Sequence, residues 1–252
     1  MESKKIIVVG STNMDMVVKT HHIPVPGETV LSGSFFMNPG GKGANQAVTV
    51  ARLGGDISFI SKVGNDVFGR QSAQLFDEEG INTFHLLSDE ELPSGVALIT
   101  VDDAGENSIV VASGANANLL PGDLSEALEV IASANIVMMQ LEIPMETVLF
   151  VARYAAEKGV RVILDPAPAN VLSPALLSHI DIITPNQTEA EMLSGIKVTN
   201  VETAKKAARI IHRNGAKNVV VTMGTLGAVI CQGNKTEVVP AQKVQALDST
   251  AA

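Results

Sequence analysis

Short runs made wholly of apolar residues, each followed by a polar loop and a helical pattern, constrain this chain more than any other feature. Ile6-Ile7-Val8-Val9 stops at Gly10, and Ile57 to Val63, Ile136 to Met139, Val160 to Leu164, Ile180 to Thr184 and Val219 to Val221 are similar. A strand with no polar face has to be covered on both sides, as in the middle of a parallel sheet. Helical patterns alternate with these runs. Asp66 to Glu79 is stopped by Gly80, and Asp123 to Ala134 precedes the next strand. A further helix has Pro144 at its start, Val148, Val151, Ala152 and Ala155 on one face, and Gly159 just past its end. Thr199-Asn200-Val201-Glu202 reads as a capping box before Ala204, Ala207, Ala208 and Ile211, with Gly215 as the stop. The alternation predicts an α/β fold: a doubly wound, mostly parallel sheet with helices on both faces. A chain of 252 residues with 46% apolar content can bury such a core.

Four pieces break the alternation. Met14 to Lys19 and Val30 to Met37 lie around Ile23-Pro24-Val25-Pro26-Gly27, and Gly95 to Val101 and Ser108 to Ala112 flank the turn Asp102 to Glu106. They predict a small β-sheet lid inserted at about 14–37 and 95–112 into one domain covering 1–252.

Charge and composition remove several classes of function. A net charge of −9 argues against nucleic-acid binding, which requires a clustered positive face. Cys231 is the single cysteine, so neither a disulfide framework nor a cysteine metal site is available. His21, His22, His85, His179 and His212 show no paired ligand spacing and read as surface or packing residues. The first residues lack a signal-peptide pattern and no apolar stretch is long enough to cross a membrane. The expectation is a soluble, cytoplasmic protein.

Pro39-Gly40-Gly41-Lys42-Gly43-Ala44-Asn45 lies directly before a helical pattern with Ala44, Ala47, Val48 and Ala51 on one face. Glycines allow close approach of a ligand to the backbone, and a helix start presents unpaired N–H donors. The order Gly-Lys-Gly is not a P-loop, and the loop after the first strand lacks the dinucleotide fingerprint. A loop that only caps a helix accounts for the glycines equally well. Ser11 has no nucleophile-elbow context.

Ligands of open α/β sheets bind beyond the carboxyl ends of the strands. Those ends are polar here: Ser11, Thr12, Asn13 and Asp15; Gln140 and Glu142; Asp165; Thr184, Asn186 and Glu189; Thr222 and Gly224. Any one of them is ordinary turn chemistry. Together, Asn13, Asp15, Lys42, Asn45 and Glu142 supply donors and acceptors suited to several hydroxyls, which points to a sugar.

These blocks resemble those of the ribokinase branch of the PfkB carbohydrate kinase family. Gly10 to Asp15 is similar to its opening motif, and Gly40 to Ala47, with Gly54 and Gly64, to its first signature. Met139 to Glu142, Asp165 to Ala169 and Thr184 to Glu189 are similar to three further blocks. The resemblance implies transfer of the γ-phosphoryl group of MgATP to the 5-hydroxyl of D-ribose. It implies that Asn13, Asp15, Gly41, Lys42, Asn45 and Glu142 hold the sugar, and that Asn186, Thr222, Gly224, Thr225 and Gly227 hold ATP. Glu189 would place Mg2+ through water, and Asp248 and Thr250 would help bind an activating monovalent cation, K+. The lid strands would close over the sugar and pair two subunits as a homodimer.

In the family's second signature the last Asp is the catalytic base. Asp248-Ser249-Thr250-Ala251-Ala252 begins that signature, with Ser249 in place of the usual Thr. The base is therefore expected just after Ala252, the C-terminal part of the fold is expected to be missing, and the chain as written is expected not to turn over. The resemblance leaves open a kinase for deoxyribose or another furanose, and a non-catalytic sugar sensor.

Overall fold

The computed structural model describes residues 4–31 and 33–242. In chain order they form β1 (Lys5–Val9), β2 (Asn13–Lys19), β3 (Ser34–Gly40), α1 (Lys42–Arg52), β4 (Asp56–Gly64), α2 (Val67–Glu78) and β5 (Leu86–Asp89). Next come β6 (Gly95–Val101), β7 (Asn107–Ala112), α3 (Leu128–Ala132), β8 (Ile136–Met139), α4 (Met145–Glu157), β9 (Arg161–Leu164) and α5 (Pro174–Leu177). The remainder is β10 (Ile182–Ile183), α6 (Gln187–Ser194), α7 (Val201–Arg213), β11 (Asn218–Thr222), β12 (Ala228–Gln232) and β13 (Lys235–Val239). Contacts divide the described residues into two compact units. The first takes in 4–9, 121–141 and 145–242; the second takes in 10–31, 33–120 and 142–144.

In the first unit, β1, β8, β9, β10 and β11 pair in that order, all parallel, and β12 and β13 add antiparallel strands at one edge. Ile7, Val8, Val9, Val137, Val162, Leu164, Ile183, Val219 and Val221 are buried, as expected of strands lacking a polar face. Each contributes about 1.5–3 kcal/mol by leaving water. The apolar stripes of α4 (Val148, Val151, Ala152, Ala155) and α7 (Ala204, Ala207, Ala208, Ile211) are completely buried.

In the second unit, β4 and β5 pair in parallel, and a separate sheet runs in the order β3-β2-β6-β7. β2 lies antiparallel to β3 and parallel to β6, and β6 returns as β7. The turn between β6 and β7 is fixed by Asp102 Oδ1, which accepts from Ala104 N and Glu106 N at 2.9 Å each. Val17, Ala97, Ile99 and Val101 form a small core of this sheet, whereas every residue of β7 is exposed. The expected small separate sheet is present.

Several boundaries differ from the sequence expectation. β3 starts at Ser34, later than Val30, and continues through Pro39 to Gly40. Pro39 is tolerated because β3 is the edge strand. The helix expected over 123–134 is a 3-10 segment, Pro121–Ala127, followed by α3; Pro121 and Gly122 are poor helix formers. β10 is only two residues long, yet Asp181 N and Thr184 N still donate to Val162 O and Leu164 O, so the strand tapers without losing its ladder. The capping box of α7 is one residue later than expected, formed by Asn200 and Thr203; Glu202 instead pairs with Lys205.

Candidate functional site

Alternation along β2 puts Asn13 and Asp15 on one face and Met14 on the other. In register, Asn13 faces Gly40 of β3 and Gly95 of β6, and Asp15 faces Asn38 and Ala97. β3 runs directly into α1 through Gly41, whose φ of 92° suits glycine. A side chain at Gly41 would also press on Asn13 N and the Ser11 and Thr12 backbone, so the helix start and the Ser11–Asn13 loop approach through this glycine.

The first turn of α1 differs from the expected row of open donors. Lys42 N donates to Glu142 Oε2 at 3.1 Å, Gly43 N to Ser11 Oγ at 3.2 Å, and Ala44 N to Ser11 O at 2.9 Å. Asn45 N donates to Gly41 O. The amides of residues 42–45 are thus satisfied by the protein. Ser11 Oγ donates to Glu142 Oε2 at 2.6 Å while accepting from Gly43, so it joins Glu142 to the helix start. Expected only as one of the polar residues at the end of β1, with no role of its own, Ser11 holds this cluster together. Its place in the loop after β1 was the available signal.

Asp15 and Glu142 are both half-buried. Burial, with the Glu142 charge adding to it, pushes the Asp15 carboxyl up to about 6. Asn13 is almost fully buried, and its Oδ1 accepts from Asn116 Nδ2 at 2.8 Å. Around it, Thr12 Oγ1 and Ser61 Oγ lie 2.9 Å apart, and Lys62 Nζ donates to Asn118 O at 2.9 Å. Asp89, held down to about 2 by Asn118 and by the Leu92 and Glu91 amides, braces that segment. Asn13, Asp15, Gly41, Lys42 and Glu142 are therefore brought together in the second unit, and Asn45 sits in the same first turn of α1. Asn116 had no signal in spacing, being 103 residues away from Asn13.

The residues expected to hold ATP lie in the first unit. Asn186 is the N-cap of α6: its Oδ1 accepts from Glu189 N at 2.9 Å, and Asn186 N donates to Glu189 Oε2 at 2.8 Å. This reciprocal box, with Gly195 as the C-cap, makes α6 a helix that the sequence reading treated only as a polar block. Thr222 N donates to Pro185 O at 2.9 Å, which ties the end of β11 to the Asn186 loop. Gly224 and Thr225 lie in an exposed 3-10 turn, and Gly227 has a φ of 91° where the chain passes close to Val239 and Ala241. Glu189 is buried, with Oε2 engaged by Asn186. Among the described residues no group of three or more His, Cys, Asp or Glu could hold a metal. A single carboxylate such as Glu189 would suit a divalent cation that keeps most of its waters, as Mg2+ does. Asp248, Thr250 and the expected end of the second signature lie outside the described residues.

A cluster of polar side chains at a helix start, with both donors and acceptors, has the chemistry to meet hydroxyl groups. The family model for pfkB family carbohydrate kinases matches residues 3–252. A ribokinase of Haemophilus influenzae is 43% identical over 249 residues, covering 99% of this chain and 81% of its own length. A deoxyribokinase of Salmonella typhi is 36% identical, covering 98% and 81%. The solved Arabidopsis thaliana ribokinase complexed with ribose and ATP superimposes with a TM-score of 0.89 at 33% identity, covering 98% and 81%. The chain belongs to the pfkB family of carbohydrate kinases.

Proposed function

We propose that this chain binds D-ribose and takes part in its ATP-dependent phosphorylation at the 5-hydroxyl. The observation that carries this is the grouping of Asn13, Asp15 and Glu142 at the start of α1, a donor amide beside two carboxylates. A sugar hydroxyl both donates and accepts, so such a set can satisfy several at once. Phosphoryl transfer calls mainly for positioning and charge stabilisation, and these residues supply the positioning. Gly41, Lys42 and Asn45 complete the sugar side. Asn186, Thr222, Gly224, Thr225 and Gly227 would hold the nucleotide, and Glu189 would help to place Mg2+ through water. Bound Mg2+ would neutralise charge on the phosphates. Asp248 and Thr250 are assigned to K+ on the family resemblance. No helix among the described residues is long and apolar enough to cross a membrane, and a cytoplasmic location goes with this reading.

Calorimetric titration of the chain with D-ribose and with 2-deoxyribose tests it. Ribose is expected to bind, and E142A to weaken it at least tenfold. Absence of ribose binding would overturn the reading. Tighter binding of 2-deoxyribose would favour the activity named for the Salmonella relative. A homodimer through the lid sheet is part of the proposal, supported by exposed Phe35, Leu98 and Val110 (the last 65% exposed) on a monomer's β surface. Sedimentation should give a dimer that V110E dissociates; a monomeric wild type rules it out.

A further inference from the structure

We infer that Asn116 sets which way round the Asn13 amide sits, so that the sugar is offered a donor and not an acceptor. The inference rests on the reading of Asn13 as a sugar ligand. An asparagine's oxygen and nitrogen have the same shape, so a unique orientation needs partners whose roles cannot be exchanged. Asn116, in the 3-10 turn Gly114–Asn118 and 1% exposed, has two such partners. Thr12 N donates to its Oδ1 at 2.8 Å, and Thr12 O accepts from its Nδ2 at 2.9 Å. A backbone amide only donates and a backbone carbonyl only accepts, so the Asn116 side chain has one orientation.

The second proton of Asn116 Nδ2 then meets Asn13 at 2.8 Å, and only the Asn13 carbonyl oxygen can accept it. Polarity fixed at the Thr12 backbone is thus passed on to Asn13. Its Oδ1 is occupied, and among the described residues nothing accepts from its Nδ2. Gly95 makes the arrangement fit, because a side chain there would run into both Asn13 Oδ1 and Asn116 Nδ2. A hydroxyl at Asn13 must accept, which leaves its own proton for a neighbouring carboxylate such as Asp15 or Glu142. A sugar position lacking that hydroxyl satisfies neither partner. Asn116 is accordingly a positioning residue that influences specificity.

The test is a double-mutant cycle on ribose affinity by calorimetry at pH 8, using the wild type, N13A, N116D and N13A/N116D. N116D keeps the shape and the bond from Thr12 N, but it has no proton for Asn13, whose amide is then free to turn over. N116D is expected to weaken ribose binding about tenfold. In the N13A background it is expected to add no further loss. An equal loss in both backgrounds would mark Asn116 as merely structural and overturn the inference. If the wild type binds ribose and N13A leaves its affinity unchanged, the sugar-ligand reading of Asn13 fails instead. A measurement on the sugar-free wild type stands apart from variant folding: the side-chain amide protons of Asn116 should exchange much more slowly with solvent than those of Asn13. Equal or reversed protection would overturn the inference.

Discussion

Replacing Asp15 by Asn should stabilise this protein while impairing its site. Asp15 sits half-buried beside Glu142, and its carboxyl is pushed up from 3.8 to about 6. Between those values the folded state holds a proton that the unfolded state has released. Stability therefore falls as pH rises through that window, and the full penalty is present above about 6. A displacement of this size corresponds to at most about 3 kcal/mol, and water reaching the half-exposed carboxyl reduces it. D15N removes the charge and keeps the shape, so at pH 8 it should recover up to that amount. For a chain of this length the upper bound is a rise in Tm of roughly 6–12 °C. Near pH 3.5, where Asp15 is protonated in the folded state and mostly protonated in the unfolded one, the gain should shrink to about a few tenths of a kcal/mol. Ribose affinity of the same variant should fall at least tenfold, because an acceptor has become an amide. Calorimetric melts of wild type and variant at pH 3.5, 5 and 8 give the comparison. A gain independent of pH, or a lower Tm at pH 8, would refute the argument that burial and Glu142 strain this carboxylate.

Three further outcomes follow from the geometry. S11A removes the hydroxyl joining Gly43 N to Glu142, so it should destabilise by about 1–3 kcal/mol and weaken ribose binding, read by denaturant melts and titration. G41A places a side chain at φ 92° against the Asn13 and Ser11 backbone; a Tm loss of several degrees is expected, and an unchanged Tm would contradict the close approach. N186A removes the N-cap of α6, and should lower stability by about 1 kcal/mol and nucleotide affinity together, measured by melts with and without ATP.

The cores of β1, β8, β9 and β11 and the stripes of α4 and α7 were legible from the sequence, because burial on one or both faces leaves a period in the apolar residues. Turn chemistry was legible for the β6–β7 hairpin, where Asp102 satisfies two amides locally. Boundaries set by neighbours were not. Pro39 belongs to β3 only because that strand has an open edge, and α7 is capped by Asn200 because its side chain, not that of Thr199, reaches Thr203 N.

At the site the division is the same. Residue types at Asn13, Asp15, Gly41 and Glu142 indicated a binding place for hydroxyls, since polar groups at strand ends and a glycine beside a helix start are local features. Which of their atoms are available is a tertiary matter. Gly43 N and Lys42 N are taken by Ser11 and Glu142, 32 and 100 residues away. The polarity of Asn13 is decided by Asn116, and the charge of Asp15 by burial against Glu142. Hydrogen bonds and desolvation depend on which groups share a space, and sequence order does not specify that for residues a hundred positions apart.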